Sequence, residues 1–167
     1  MIKVVNESVV FMNTDCIVNA ANSFLSGGGG VDGAIHAAAG QELYDACEKI
    51  GHCDVGQAVM TPGFNLKAKY IIHTVGPFYA HYDKQTNEKL LSFCYVNCLN
   101  LAKDNGAHSI AFPCISTGVY GYPLKEATLI ALNAVKGWLD NNNYDIDVYF
   151  CCFTQNEYTE YNKLIIN

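Results

Sequence analysis

Arginine is absent from this chain of 167 residues: all ten basic residues are lysine, against sixteen acidic ones, for a formal net charge of −6. Readers of DNA base edges depend on bidentate arginine, and binding along a phosphate backbone needs clustered positive charge. A DNA partner is therefore excluded, and a binder of poly(A)-like RNA is disfavoured on the same ground. Charge of either sign is sparse, at 16% of residues. Even so, no stretch reaches the ~18 consecutive apolar residues that cross a bilayer, so no membrane partner is expected. The opening Met1-Ile2-Lys3-Val4-Val5-Asn6 is too short and too soon polar for a secretory leader, and a cytoplasmic protein is expected. The eight cysteines include no C-x-x-C pair; Cys94 and Cys98 lie one helical turn apart, and Cys151 and Cys152 are adjacent. Set in or beside apolar stretches, they read as buried free thiols in a reducing compartment, not as a disulfide framework.

What is present fits one globular unit. Half of the residues are hydrophobic, and a chain of this length buries roughly 70% of the surface its unfolded form exposes. No repeat, linker or low-complexity tract divides it, and a single domain, residues 1–167, acting as a monomer is expected. Residues 2–5 and 16–20 read as strands. A helix runs from about Val31, pauses near Gly40 and resumes to about Ile50. Residues 57–61 and 69–75 read as a strand pair turning at Pro62-Gly63, and a helix over 86–104 stops at Asn105-Gly106. Strand 109–114, helix 124–140, strand 146–153 and a short helix from about Glu157 complete the pattern. Strands alternating with helices predict an α/β fold with a largely buried sheet and helices on both faces, and ligands in such folds sit at the carboxyl ends of the strands.

A net-negative chain without arginine can still hold a small anion if main-chain amides neutralise it. Two glycine-rich turns offer this. The first runs from Asn19-Ala20-Ala21-Asn22 through Gly27-Gly28-Gly29-Gly30 into Val31-Asp32-Gly33. Four consecutive glycines pack nothing and are entropically unfavourable, so they point to close approach of backbone to ligand, and a helix start follows at once. The second, Ser116-Thr117-Gly118-Val119-Tyr120-Gly121, also joins a strand to a helix. Each amide bond to a charged oxygen contributes on the order of 1.5–3 kcal/mol, so a few of them offset repulsion from carboxylates screened beyond ~8–10 Å. Gly28, Gly30 and Gly33 also satisfy the G-x-G-x-x-G dinucleotide fingerprint. That motif requires a second strand ending in an acid about 20 positions later. Asp54 has the distance, but Gln41 to Ile50 before it reads as helix, and the fingerprint gives no account of the second turn.

These stretches, with Gly56-Gln57-Ala58, Ile72-His73-Thr74-Val75-Gly76-Pro77 and Phe112 through Pro123, resemble the macrodomain family, specifically its MacroD-type branch of ADP-ribosyl hydrolases. The resemblance spreads across most of the chain in family order. It implies a three-layer α/β/α sandwich with a mixed central sheet that binds ADP-ribose, takes no cofactor and needs no metal. The zinc-containing branch has Cys and His in the first loop, where this chain has glycine. By position, Asn22 would contact the distal ribose, and its neighbour Ala21 is counted among the substrate-binding residues. Gly29, Gly30, Val31 and Ser116, Thr117, Gly118, Val119 and Tyr120 would enclose the diphosphate and distal ribose, with Phe153 beside the adenine. Asn22, Asp32 and His36 would form the catalytic set. The chain departs from the family at Glu7-Ser8-Val9, where members usually carry an aspartate that accepts from the adenine amino group; Ser8 or Glu7 would take that bond here, and Ser8 and Val9 are the substrate-binding candidates at this end. The activity so implied is removal of mono-ADP-ribose from acidic side chains and deacetylation of O-acetyl-ADP-ribose, with ADP-ribosylated proteins as partners; a non-catalytic reader of ADP-ribose is the alternative.

The residues themselves carry a chemical reading. Asp32 and His36, four apart at a helix start, share one face, with the imidazole leaning back toward the carboxylate. Such a pair can orient water. The positive helix end is expected to keep Asp32 ionised and to weaken it as a base. His73, in an apolar strand, reads as a satisfied core histidine, and Tyr120 as a cover for the ribose.

Overall fold

The structure is a computed structural model and describes residues 1–166. Its strands are β1 (Ile2–Val5), β2 (Cys16–Ala20), β3 (Ala58–Pro62), β4 (Tyr70–Thr74), β5 (Ser109–Phe112) and β6 (Asp147–Cys151). They form one sheet in the order β1-β6-β5-β2-β4-β3. Every pairing is parallel except β3 with β4. The helices are α1 (Gly30–Ala39), α2 (Gln41–Ile50), α3 (Lys84–Asp104), α4 (Leu124–Asn141) and α5 (Gln155–Ile166).

Alternation along the strands sorts the core into two layers. Cys16, Val18, Ile72, Phe112 and Phe150 pack with Leu91, Cys98, Ala131, Trp138 and Tyr161 of α3, α4 and α5. Ile17, Ile71, Ala111 and Cys151 pack on the other face with Ile35, Leu43 and Cys47 of α1 and α2. The sheet is thus covered on both sides, as a parallel sheet must be, and the fold is a three-layer α/β/α sandwich with a mixed sheet. The eight cysteines are free thiols, all but Cys114 buried.

The differences from the expected element bounds have local causes. Helix α3 begins at Lys84, earlier than residue 86, because Asp83 caps it: its carboxylate accepts from the Thr86 amide at 2.7 Å. Pro62 lies inside β3, not beyond it, which a strand tolerates at a sheet edge. Strands β5 and β6 stop at Phe112 and Cys151, short of 114 and 153, and α5 starts at Gln155. Short 3-10 turns at Val9–Phe11 and Tyr79–His81 were not legible in the hydrophobic pattern.

The chain leaves β2 toward α1 on one face and leaves β5 toward α4 on the other. Adjacent strands whose connections diverge in this way open a crevice at their carboxyl ends. The parallel strands β1, β6, β5 and β2 line up beside it, so three interstrand steps give a cleft about 14 Å long at strand level.

Candidate active site

Two loops flank the crevice. Loop 1 follows β2, and its fold is set by Asn22. The Asn22 amide nitrogen donates to the Gly27 carbonyl at 2.9 Å, while its oxygen accepts from the amides of Phe24 (3.0 Å) and Ser26 (3.3 Å) and from the Ser26 hydroxyl (3.2 Å). Helix α1 then opens at Gly30 with Gly29 as an N-cap that offers no side-chain acceptor. Gly30 has φ +57°, a left-handed turn that glycine adopts without strain. A Cβ at Gly33 would overlap the Gly28 carbonyl, so glycine there lets the loop lie against its own helix. Among the described residues the amides of Gly28, Gly29, Gly30 and Val31 meet no acceptor of the protein, and a Cβ on Gly29 or Gly30 would enter open space.

Loop 2 follows β5. It is tied by the Tyr122 amide to the Ser116 carbonyl (2.9 Å), by Gly121 to Gly118 (3.0 Å) and by Tyr79 to the Tyr120 carbonyl (2.9 Å). Among the described residues no acceptor of the protein faces the amides of Thr117, Gly118, Val119 and Tyr120. Ser116 is buried with φ +67°, strained for a residue with a side chain, and its hydroxyl has no partner. Such strain of about 1–3 kcal/mol collects where a ligand loop must hold one shape. Gly76 explains the Val75-Gly76-Pro77 signature: a Cβ there would strike the Ser116 hydroxyl and Ile115. Val119 is fully exposed on the loop, and Tyr120 lies with its ring centroid 4.9 Å from Phe78.

Asp32 sits at the base of loop 1, buried to 6% exposure in the first turn of α1. Its Oδ1 accepts from the Asn19 amide nitrogen at 2.8 Å and lies 3.4 Å from His36 Nε2. Its Oδ2 faces the Gly28 side of the loop. One oxygen is held and the other is left to the cleft. Burial pushes the Asp32 carboxyl up, more than the Asn19 hydrogen bond and the His36 charge pull it down. The helix end was expected to hold this carboxyl low and so weaken it as a base; the shift runs the other way, because depth below the surface outweighs the dipole of a first turn. Burial likewise lowers His36 despite the neighbouring carboxylate. His36 is fully buried against Tyr44, ring centroids 4.2 Å apart, and its Nδ1 has no partner.

The structure therefore brings Asp32 and His36 together, but the amide that grips the carboxylate belongs to Asn19, while Asn22 is engaged in holding loop 1. The signal for Asn19 lay in β2 alternation: with Ile17 it faces the α1 layer, away from Cys16 and Val18. At the far end of the cleft, pairing of β1 with β6 sets the segment after Val5 beside the segment after Cys151. Ser8 caps the turn at Val9–Phe11, its hydroxyl accepting from the Val10 amide at 3.3 Å, and Glu7 accepts from the Ser8 amide at 2.9 Å. Val9 is buried, and Phe153 stands 80% exposed just past β6. Ala21 is buried behind loop 1, its amide bonded to the Thr74 carbonyl.

Fold and loops together define an α/β domain that presents two sets of main-chain amides to a small anion, with a buried carboxylate beside them. The chain belongs to the Macro domain family, whose profile matches residues 18–131. It is 46% identical over 93% of its length to ADP-ribose glycohydrolase MACROD2 of Homo sapiens, of which it spans only 37%. It is 47% identical to the O-acetyl-ADP-ribose deacetylase of Escherichia fergusonii, over 98% of this chain and 94% of that protein. The crystal structure of the Trypanosoma brucei macrodomain in complex with ADP-ribose superposes with a TM-score of 0.90 at 42% identity, over 98% of this chain and 68% of that one.

Proposed function

We propose that the chain binds ADP-ribose along the cleft and hydrolyses a bond at its distal ribose, releasing mono-ADP-ribose from acidic side chains of proteins and acetate from O-acetyl-ADP-ribose. The observation that carries this reading is the placement of Asp32: one oxygen pinned by Asn19, the other facing a cleft walled by eight amides without protein acceptors. The diphosphate lies between loops 1 and 2, the adenine toward Ser8, Val9 and Phe153, and the distal ribose toward Asn22, Asp32 and Tyr120. About 36 ligand heavy atoms at ~0.3 kcal/mol each set a ceiling near −11 kcal/mol, so affinity is micromolar or tighter.

Asp32 orients the attacking water through Oδ2. Its raised pKa makes it a better proton acceptor than a surface aspartate, and His36 behind Oδ1 stabilises the developing arrangement. Water adds to an ester carbonyl or to the anomeric carbon and gives its proton to Asp32 Oδ2; the bond to the leaving oxygen then breaks, and that oxygen takes the same proton back from Asp32. Turnover of glutamate-linked ADP-ribosylated protein in ¹⁸O-water tests the scheme. Label in the released carboxylate marks attack at the carbonyl, and a released carboxylate free of label marks attack at the anomeric carbon, whose own hydroxyl exchanges with water in either case. Asp32→Ala abolishes turnover and leaves much of the binding; a variant that still turns over removes Asp32 from the chemistry. The free thiols fit a reducing, cytoplasmic setting.

A further inference from the structure

Behind Asp32, a line of polar side chains crosses the otherwise apolar sheet face beneath α1. Asn19 on β2 and His73 on β4 are direct partners in the strand register, and Thr61 follows on β3. The Asn19 amide nitrogen has two protons and two acceptors: Asp32 Oδ1 at 2.8 Å and His73 Nδ1 at 3.1 Å. His73 Nε2 lies 2.9 Å from the Thr61 hydroxyl. Asn19 and His73 are fully buried and Thr61 is 3% exposed, so none of the three reaches substrate.

The bonding pattern admits one assignment. An amide nitrogen only donates, so His73 Nδ1 must accept, the ring proton sits on Nε2, and that proton goes to Thr61. The alternative ring tautomer would set an N–H against the Asn19 NH₂ and turn the amide over, presenting its oxygen to the Asp32 carboxylate. The observed orientation leaves Asn19 Oδ1 buried without a partner. An amide accepts that penalty only where both of its protons are claimed.

We infer that His73, set by Thr61, is a positioning residue that locks the Asn19 amide so that its NH₂ holds Asp32 Oδ1 and leaves Oδ2 to the cleft. The inference rests on the assignment of Asp32 above. The groups around the carboxylate are His36 from its own helix, Asn19 from β2 with His73 behind it, Cys47 from α2 and Tyr120 from loop 2. Burial first, then Asp32, raises the Cys47 thiol to about 11 and moves the Tyr120 phenol upward. Burial holds His73 down at about 3, so the ring stays neutral and able to accept.

Three chains test this: wild type, His73→Leu, which removes the acceptor, and His73→Asn, whose Oδ1 takes the place of Nδ1. The Asp32 carboxyl is titrated by ¹³C NMR in each, alongside kcat and KM against pH. In His73→Leu the Asp32 pKa and the acidic limb of kcat rise together by about one to two pH units, the worth of one hydrogen bond to a carboxylate. KM changes little, because the diphosphate is held by backbone. His73→Asn brings both back toward wild type. Where His73→Leu does not fold, Thr61→Val reads the same device: ¹⁵N shifts show His73 in the Nε2–H form in wild type and a tautomer mixture in the variant. An Asp32 pKa indifferent to all three substitutions, or a wild-type ring protonated at Nδ1, overturns the inference. The carboxyl titration needs no turnover, so an inactive wild type would count against the proposed function and leave this result standing on its own.

Discussion

His73 makes the fold sensitive to acid in a way that can be calculated. Its pKa falls from 6.5 to about 3 because the ring is wholly buried. A histidine with a depressed folded pKa contributes stability that is complete above its unfolded pKa and is lost as pH falls toward the folded one. Between those limits the unfolded chain takes up a proton that the native chain refuses, at about 1.4 kcal/mol per pH unit. From about pH 7 to about pH 4.5, two units below the unfolded value, the loss is about 2.7 kcal/mol, a large share of the roughly 5–15 kcal/mol that holds a domain together. His36, also depressed by burial, adds to the loss in the same direction. Urea unfolding of wild type and His73→Asn across this range isolates His73, since every other titration is shared. With a slope of about 1–3 kcal/mol/M, the wild-type midpoint should drop by about 1 M or more beyond the drop of the variant. Parallel midpoint curves would show that the buried ring accepts a proton without penalty, and the orientation argued for Asn19 would fall with that result.

Other outcomes follow from single contacts. Asp32→Asn abolishes turnover yet raises the Tm near neutral pH: the wild-type carboxyl is pushed up by burial, so its ionised form destabilises the fold above its folded pKa, and the advantage of the variant disappears in acid; thermal melts at both pH values check it. Gly118→Glu projects a charged side chain into open space between the loops and abolishes ADP-ribose binding by calorimetry while the Tm holds. Gly76→Ala drives a methyl group into Ser116 and Ile115, an overpacking of about 1–3 kcal/mol, read as a fall in Tm of roughly 2–4 °C per kcal/mol together with weaker binding.

The layers of the fold were legible because apolar runs in β2, β4 and β5 and the helical spacing of Ala127, Ala131 and Trp138 each name a buried face. The two loops were legible as well, since four glycines between a strand and a helix have few structural uses. What the sequence could not carry was depth. Asp32 looks like a first-turn carboxylate on any helical wheel, and only the packing of α1 over β2 shows it buried enough for desolvation to overrule the helix end. Asn19 and Asn22 are equivalent as letters, and strand alternation alone separates the one facing Asp32 from the one that folds the loop. His73 was readable as a core histidine. Its connection to Asp32 runs through strand register, a property of pairing between segments 54 residues apart.

The cradle proposed for the anion is made of peptide groups, and that has an evolutionary side. No substitution other than proline can delete an amide from the chain, so in the binding mode proposed above the direct contacts to the diphosphate do not depend on any one side chain. Neighbouring positions such as Val119 can drift freely as long as nothing bulky intrudes. A pocket of this kind is hard to disarm by chance and simple to plug, and it asks for no positive charge that would draw nucleic acid polymers to the same surface.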